Sequence, residues 1–186
     1  MTKITTRSDD STERRFPWVA WIVYFLVYLV VIDIALLPFG LFLRGNVLTI
    51  LVLPVLEESL KLYIARKHRE YASYAIILFG LMELVLVKGL LLIEAPVAEL
   101  PLLAAFALLA FTFHLSTASA YAGDDEWTYL VPVYGACLGL HIAFNATDLV
   151  VPDVPLLLAT SVILALAPIA AGSLIRRNQR RKAASS

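Results

Sequence analysis

Leu100–Ala122 reads LPLLAAFALLAFTFHLSTASAYA, a stretch without one Asp, Glu, Lys or Arg. A helix needs about 20 mainly apolar residues to cross the ~30 Å hydrocarbon core of a bilayer. This stretch meets that length, with His114 its one side chain that titrates near neutral pH. Outward from it the same pattern recurs, in runs from about Pro17 to Leu43, Asn46 to Ala65, Tyr71 to Ile93, Trp127 to Val150 and Pro155 to Ile175, each set off by short polar punctuation. The expectation is an all-α, polytopic membrane helical bundle of about six transmembrane helices. Pro38, Pro54, Pro132 and Pro168 fall inside these runs, where a kink is tolerated because neighbouring helices re-satisfy the freed backbone groups.

Composition agrees. The 186 residues are 60% apolar and 16% charged, whereas a soluble domain has about half its residues apolar and about a quarter charged. The formal net charge is zero, with basic residues gathered at the chain ends and in one loop, and this distribution is no nucleic-acid footprint. Cys137 is the single cysteine, so one chain can build neither a disulfide nor a thiolate zinc site. Met1 to Arg15 is polar and of mixed charge, and the apolar run after it is too long for a signal-peptide core, so it reads as a retained first helix. With no internal repeat or long linker, residues 16–175 form one membrane domain in this reading, between a 1–15 cytoplasmic tail and a basic 176–186 cytoplasmic tail.

Lys and Arg set the expected orientation. Arg14 and Arg15 precede the first run; Arg66, Lys67 and Arg69 follow the second; Arg176, Arg177, Arg180, Arg181 and Lys182 follow the sixth. The loops at 94–99 and 151–154 have neither residue. A multi-pass protein of the cell membrane with both termini cytoplasmic satisfies this bias, with Arg44 the one dissenting charge.

Several residues are out of place in hydrocarbon. The second run carries Glu57, Glu58 and Lys61, the third Glu83 and Lys88, the fourth His114, and the fifth His141 and Asn145. A charge at the centre of a span costs about 2.5–3.5 kcal/mol even on the lenient insertion scale, so such groups face a bundle interior or an aqueous cavity. At about 1.5 Å per residue, Glu57, Glu83, His114 and His141 each lie within reach of the midplane on their own helices. Glu57 and Lys61, Phe79 and Glu83, and His141 and Asn145 are i,i+4 pairs that share a helix face. Taken singly, each has a structural explanation: an ion pair between helices, or a His or Asn bonding across them. Their coincidence at one depth points to a site. Asp33, a partner for Lys88 or a lining residue, and Asp148, close enough to an interface to be solvated, are weaker candidates and stand outside the core site.

The ordered set Glu57-Glu58-Ser59-Leu60-Lys61, Phe79-x-x-x-Glu83, His114 within His-Leu-Ser-Thr-Ala, and His141-x-x-x-Asn145 resembles the PrsW-type intramembrane proteases. These belong to the wider CPBP or Abi family of CAAX prenyl endopeptidases and bacteriocin-processing enzymes. The resemblance covers about residues 46 to 150. EExxK and FxxxE fit the PrsW branch; the EExxxR and FxxxH forms are not met, because Leu62 and Ala110 stand where Arg and Phe are expected, and HxxxN stands in place of HxxxD.

The resemblance implies an intramembrane endopeptidase of the glutamic type. Glu57 would be the main base, His114 would help hold and activate the water, and Glu58 would support the site beside Lys61. His141 with Asn145 would donate to the oxyanion, and Glu83 would share a proton with the base. It implies a membrane-embedded or lipid-modified peptide as substrate, and no metal. The ligand chemistry alone also permits zinc on Glu57, His114 and His141 with one position open for water, although no HExxH spacing is present. Two other uses of the same residues are a small transporter or proton-relay subunit, and a non-catalytic protease-like membrane partner.

Overall fold

The computed structural model describes residue 22 and residues 47–124, 126–151 and 153–185. Apart from Ile22, the run from Pro17 to Leu43, with Asp33, lies outside the described residues, as do the 1–15 tail and Arg44. Among the described residues every regular element is helical.

A π turn at Leu48–Val52 leads into α1, Leu53–Lys67. Pro54, which has no N–H to donate, sits where the π turn passes into α1. The helix stops at His68, whose N–H returns to the Ile64 carbonyl at 2.8 Å. A 3₁₀ turn, Arg69–Tyr71, opens α2 at Ala72–Met82, and the chain continues through a π turn at Glu83–Lys88 into α3, Gly89–Glu94. Then come α4 at Leu100–Tyr121, α5 at Trp127–Val150 and α6 at Val154–Ser185.

Leu100–Tyr121, Trp127–Thr147 and Val154–Ser185 are long and apolar enough to cross a membrane. The second and third apolar runs are also helical, over 47–67 and 69–94, but each is divided by a π turn and carries several charges. The outer surface is apolar in large part: Ile163, Leu174, Leu108 and Val131 are all more than half exposed. Water would disfavour such a surface and a bilayer would not.

Helix α6 packs along both α4 and α5, α4 along α2, and α5 along α1. Small residues set the closest approach. A Cβ on Gly172 of α6 would stand 2.9 Å from Ala120 Cα of α4, which is the close contact that small residues permit between membrane helices. Beside it the Tyr129 hydroxyl donates to the Ala120 carbonyl at 2.5 Å, satisfying one of the acceptors at the end of α4.

The sequence reading ended the sixth run at Ile175, but α6 continues without a break through Arg176–Lys182 to Ser185. Its 32 residues make a rod of about 48 Å at 1.5 Å per residue, longer than the ~30 Å hydrocarbon core. The basic segment is thus held at helical spacing. It meets Gly123, Asp124, Glu126 and Thr128, before and at the start of α5, in one groove, and Arg66 lies over the Trp127 ring at 5.6 Å. These basic groups and the acidic loop therefore gather at one end of the bundle.

Candidate functional site

Glu57 and Glu58 are neighbours on α1 but face different surroundings. Glu58 is fully buried, and its Oε1 accepts from Lys61 Nζ at 2.6 Å, one turn further along the same helix. Oε1 also lies 3.0 Å from His141 Nδ1 on α5, and Oε2 accepts from the Tyr121 hydroxyl on α4 at 3.2 Å. Charge taken out of water is stable only when paired and hydrogen-bonded, and Glu58 has three such partners from three helices. Lys61, equally buried, has its ammonium 5.6 Å from the Phe113 ring centroid, within cation–π range.

The second pairing joins Glu83 to His114, with Oε2 to Nε2 at 2.6 Å. Lys88 Nζ lies 3.5 Å from the other Glu83 oxygen. Residues five apart on an α-helix point about 140° away from each other at 3.6 residues per turn. The π turn over Glu83–Lys88 bonds i to i+5 instead and brings the two together. His114 itself is seated by Gly80: a Cβ there would fall 2.5 Å from His114 Cβ, so α2 reaches α4 at this point only because residue 80 has no side chain.

Glu57 lies between these two carboxylate–histidine pairs. Its Oε2 is 3.8 Å from His141 Nε2, too far for a direct hydrogen bond and suited to one bridging water. Glu57 Oε2 and His114 Nδ1 are both buried with no hydrogen-bond partner among the described residues. A cavity of about 90 Å³ opens here, lined by Glu57, Glu83, His114, His141 and Asn145, with apolar walls that include Phe113 and Phe144. That is room for a few water molecules.

The partners fix which ring nitrogens carry protons, by inference from the bonding network. Glu58, already paired with Lys61, acts as an acceptor, so His141 donates from Nδ1 and presents Nε2 to Glu57. If Glu83 is a carboxylate, His114 donates from Nε2 and keeps Nδ1 as an acceptor. A neutral His141 therefore accepts at Nε2, and it donates there only when both nitrogens are protonated. The oxyanion-donor role that the resemblance implies for His141 therefore requires a proton on Nε2.

All six residues expected at the site, Glu57, Glu58, Glu83, His114, His141 and Asn145, come to this one region, and Lys61 supports it through Glu58. Lys88 pairs with Glu83; its suggested partner Asp33 and the side chain of Asp148 lie outside the described residues. Three contributors were missed. Tyr121 falls seven residues after His114, two turns along the same face, and that spacing was a usable signal. Phe113 packs on His141 with ring centroids 4.8 Å apart. Gly80 leaves no signature in sequence, because its role depends on which helix lies opposite.

For a metal, the ligand atoms that come within 4.8 Å of one another among the described residues belong to Glu57, Glu83 and His114. Glu83 thus takes the place given to His141 in the set drawn from sequence. One histidine and two carboxylates suit zinc chemically. A dication bound there would compete with the 2.6 Å Glu83–His114 bond and would share Glu83 with the Lys88 ammonium.

Comparison with protein-family models, with curated proteins and with solved structures found no significant match.

Proposed function

We propose that this chain is a PrsW-type intramembrane endopeptidase, a six-span protein of the cell membrane with both termini in the cytoplasm. It hydrolyses a peptide bond of a membrane-embedded or lipid-modified substrate with a glutamate-activated water. The observation that carries this reading is the arrangement around Glu57: a carboxylate oxygen without a hydrogen-bond partner among the described residues, at a water-sized cavity, flanked by one histidine held by Glu83 and another held by Glu58.

In this mechanism a water donates one hydrogen bond to Glu57 Oε2 and is oriented by His114 Nδ1. Glu57 takes the proton as the water oxygen bonds to the scissile carbonyl carbon, and the carbonyl electrons move onto oxygen. Asn145 donates to that oxyanion, joined by His141 when its Nε2 carries a proton. Collapse breaks the C–N bond, and the proton held by Glu57 goes to the leaving nitrogen, giving a carboxyl group and an amine. General base catalysis of this kind contributes about 10²–10⁴-fold. The proton stays within the hydrogen-bonded cluster and no metal is required. The small cavity admits a carbonyl and a water rather than an intact helix, so the substrate is cut in an unwound segment.

The Lys88–Glu83–His114 chain favours one competing use, a proton relay in transport. Purified protein in proteoliposomes separates the two. A protease releases a peptide fragment that Glu57→Gln, His114→Ala and His141→Ala abolish or slow at least about 100-fold. A relay gives Glu83-dependent proton flux and no fragment, and full cleavage by those variants would remove the proposed roles.

A further inference from the structure

At the basic end of the bundle, remote from the Glu57 cavity in sequence and lining, a groove of about 380 Å³ has walls of opposite charge. One wall is Gly123, Asp124, Glu126 and Thr128, and the other is the end of α6 with Arg176, Arg180 and Lys182. No ion pair crosses it among the described residues. Arg176 and Arg180 are one turn apart on a continuous helix, so they share a face and project together. They also border a second groove with Arg177 and Arg181, which makes this wall rich in planar guanidinium donors suited to phosphate.

The acidic wall is pre-set by its own loop. Asp124 Oδ1 accepts from the Glu126 N–H at 3.1 Å, and Glu126 Oε2 accepts from the Thr128 hydroxyl at 3.2 Å. Each carboxylate is held by one oxygen, which leaves Asp124 Oδ2 and Glu126 Oε1 for a donor from outside the loop. The location is the level at which α6 leaves its apolar run, since Arg176 directly follows Ile175; lipid headgroups lie at that level.

We infer that this groove binds the headgroup of a zwitterionic aminophospholipid, with the phosphate on Arg176 and Arg180 and the primary ammonium on Asp124 and Glu126. A phosphate without an ammonium would satisfy the arginines and leave two carboxylates facing the added negative charge. A quaternary ammonium, lacking N–H, would gain no hydrogen bond from them. The chemistry therefore selects a phosphoethanolamine group over a phosphoglycerol or phosphocholine group. This site is independent of the proposed peptidase activity.

The test is native mass spectrometry of the purified full chain titrated with short-chain phosphatidylethanolamine, phosphatidylglycerol and phosphatidylcholine. The ethanolamine lipid should bind at least about tenfold more tightly than the other two, the lower end of the scale of a charge-assisted hydrogen bond. Asp124→Asn/Glu126→Gln should reduce it to the level of phosphatidylcholine, and Arg176→Gln/Arg180→Gln should weaken all three lipids. Strongest binding of phosphatidylglycerol would reduce the site to general attraction by cations and overturn the inference. Equal binding of the ethanolamine and choline lipids by wild type would overturn it too, before any variant is made. Displacement by water-soluble phosphoethanolamine at equal concentration would identify a free metabolite-like ligand and refute the lipid assignment.

Discussion

Replacing Lys61 with Met keeps an unbranched stem of similar length in the core and removes the ammonium that lies 2.6 Å from Glu58. Both side chains are buried, so Glu58 is left as a charge without its cation. Removing one member of a buried pair costs about 3–5 kcal/mol. The lower end applies here, because His141 Nδ1 at 3.0 Å and the Tyr121 hydroxyl at 3.2 Å still donate to Glu58. The expected loss is about 3 kcal/mol, or roughly 6–12 °C in Tm on the scale of a domain this size. Adding Glu58→Gln removes the stranded charge, and the double variant should lie within about 1.5 kcal/mol of wild type, since a neutral replacement of a buried pair is far milder than a broken one. The assay is equilibrium unfolding in mixed micelles, followed by the fluorescence of the three tryptophans, run as a double-mutant cycle. Additive effects, or a Lys61→Met protein within about 0.5 kcal/mol of wild type, would refute a buried Glu58–Lys61 pair.

Further expectations follow from the same geometry. Gly80→Ala puts a methyl 2.5 Å from His114 Cβ and should cost about 1–3 kcal/mol, whereas Gly139→Ala on α5, with nothing within 4 Å, should be neutral or gain up to about 1 kcal/mol from helix propensity; thermal unfolding of the two proteins side by side checks this, and equal shifts would contradict the packing. Tyr121→Phe removes a donor to a buried carboxylate and should lower stability by about 1.5 kcal/mol, with a smaller loss of about 0.5–1 kcal/mol if Glu58 is first replaced by Gln, whose neutral amide oxygen is the weaker acceptor. In the glutamate-activated mechanism, dialysis against a chelator leaves cleavage unchanged and elemental analysis finds far less than one metal per chain; stoichiometric zinc that restores a lost activity would transfer the water to a metal on Glu57, Glu83 and His114.

Much of this was legible from residue spacing. Leu100–Ala122 and Trp127–Val150 are long apolar runs with almost no charge, and α4 and α5 fall where those runs lie. Charges inside such runs are costly enough that their convergence could be anticipated, and Glu58, Lys61, Glu83, His114 and His141 do bond to one another. Spacing could not say which carboxylate takes which histidine, because that depends on how helices rotate against each other. An α-helical reading also could not pair Glu83 with Lys88, since only a π turn gives residues five apart a common face. The end of α6 was not legible for another reason: hydropathy falls at Arg176, but arginine and lysine are good helix formers, so the helix does not stop where the apolar run does.

The most direct test of the central claim is quantitative sequencing of new peptide termini in membranes from cells producing either wild type or Glu57→Gln at matched levels. Glu57→Gln is nearly isosteric and leaves the Glu58–Lys61–His141 network in place, so a difference reports the lost base. At least one membrane-derived fragment should be present with wild type and reduced about 100-fold or more with Glu57→Gln. Identical termini in the two membranes would contradict a peptidase that works through Glu57.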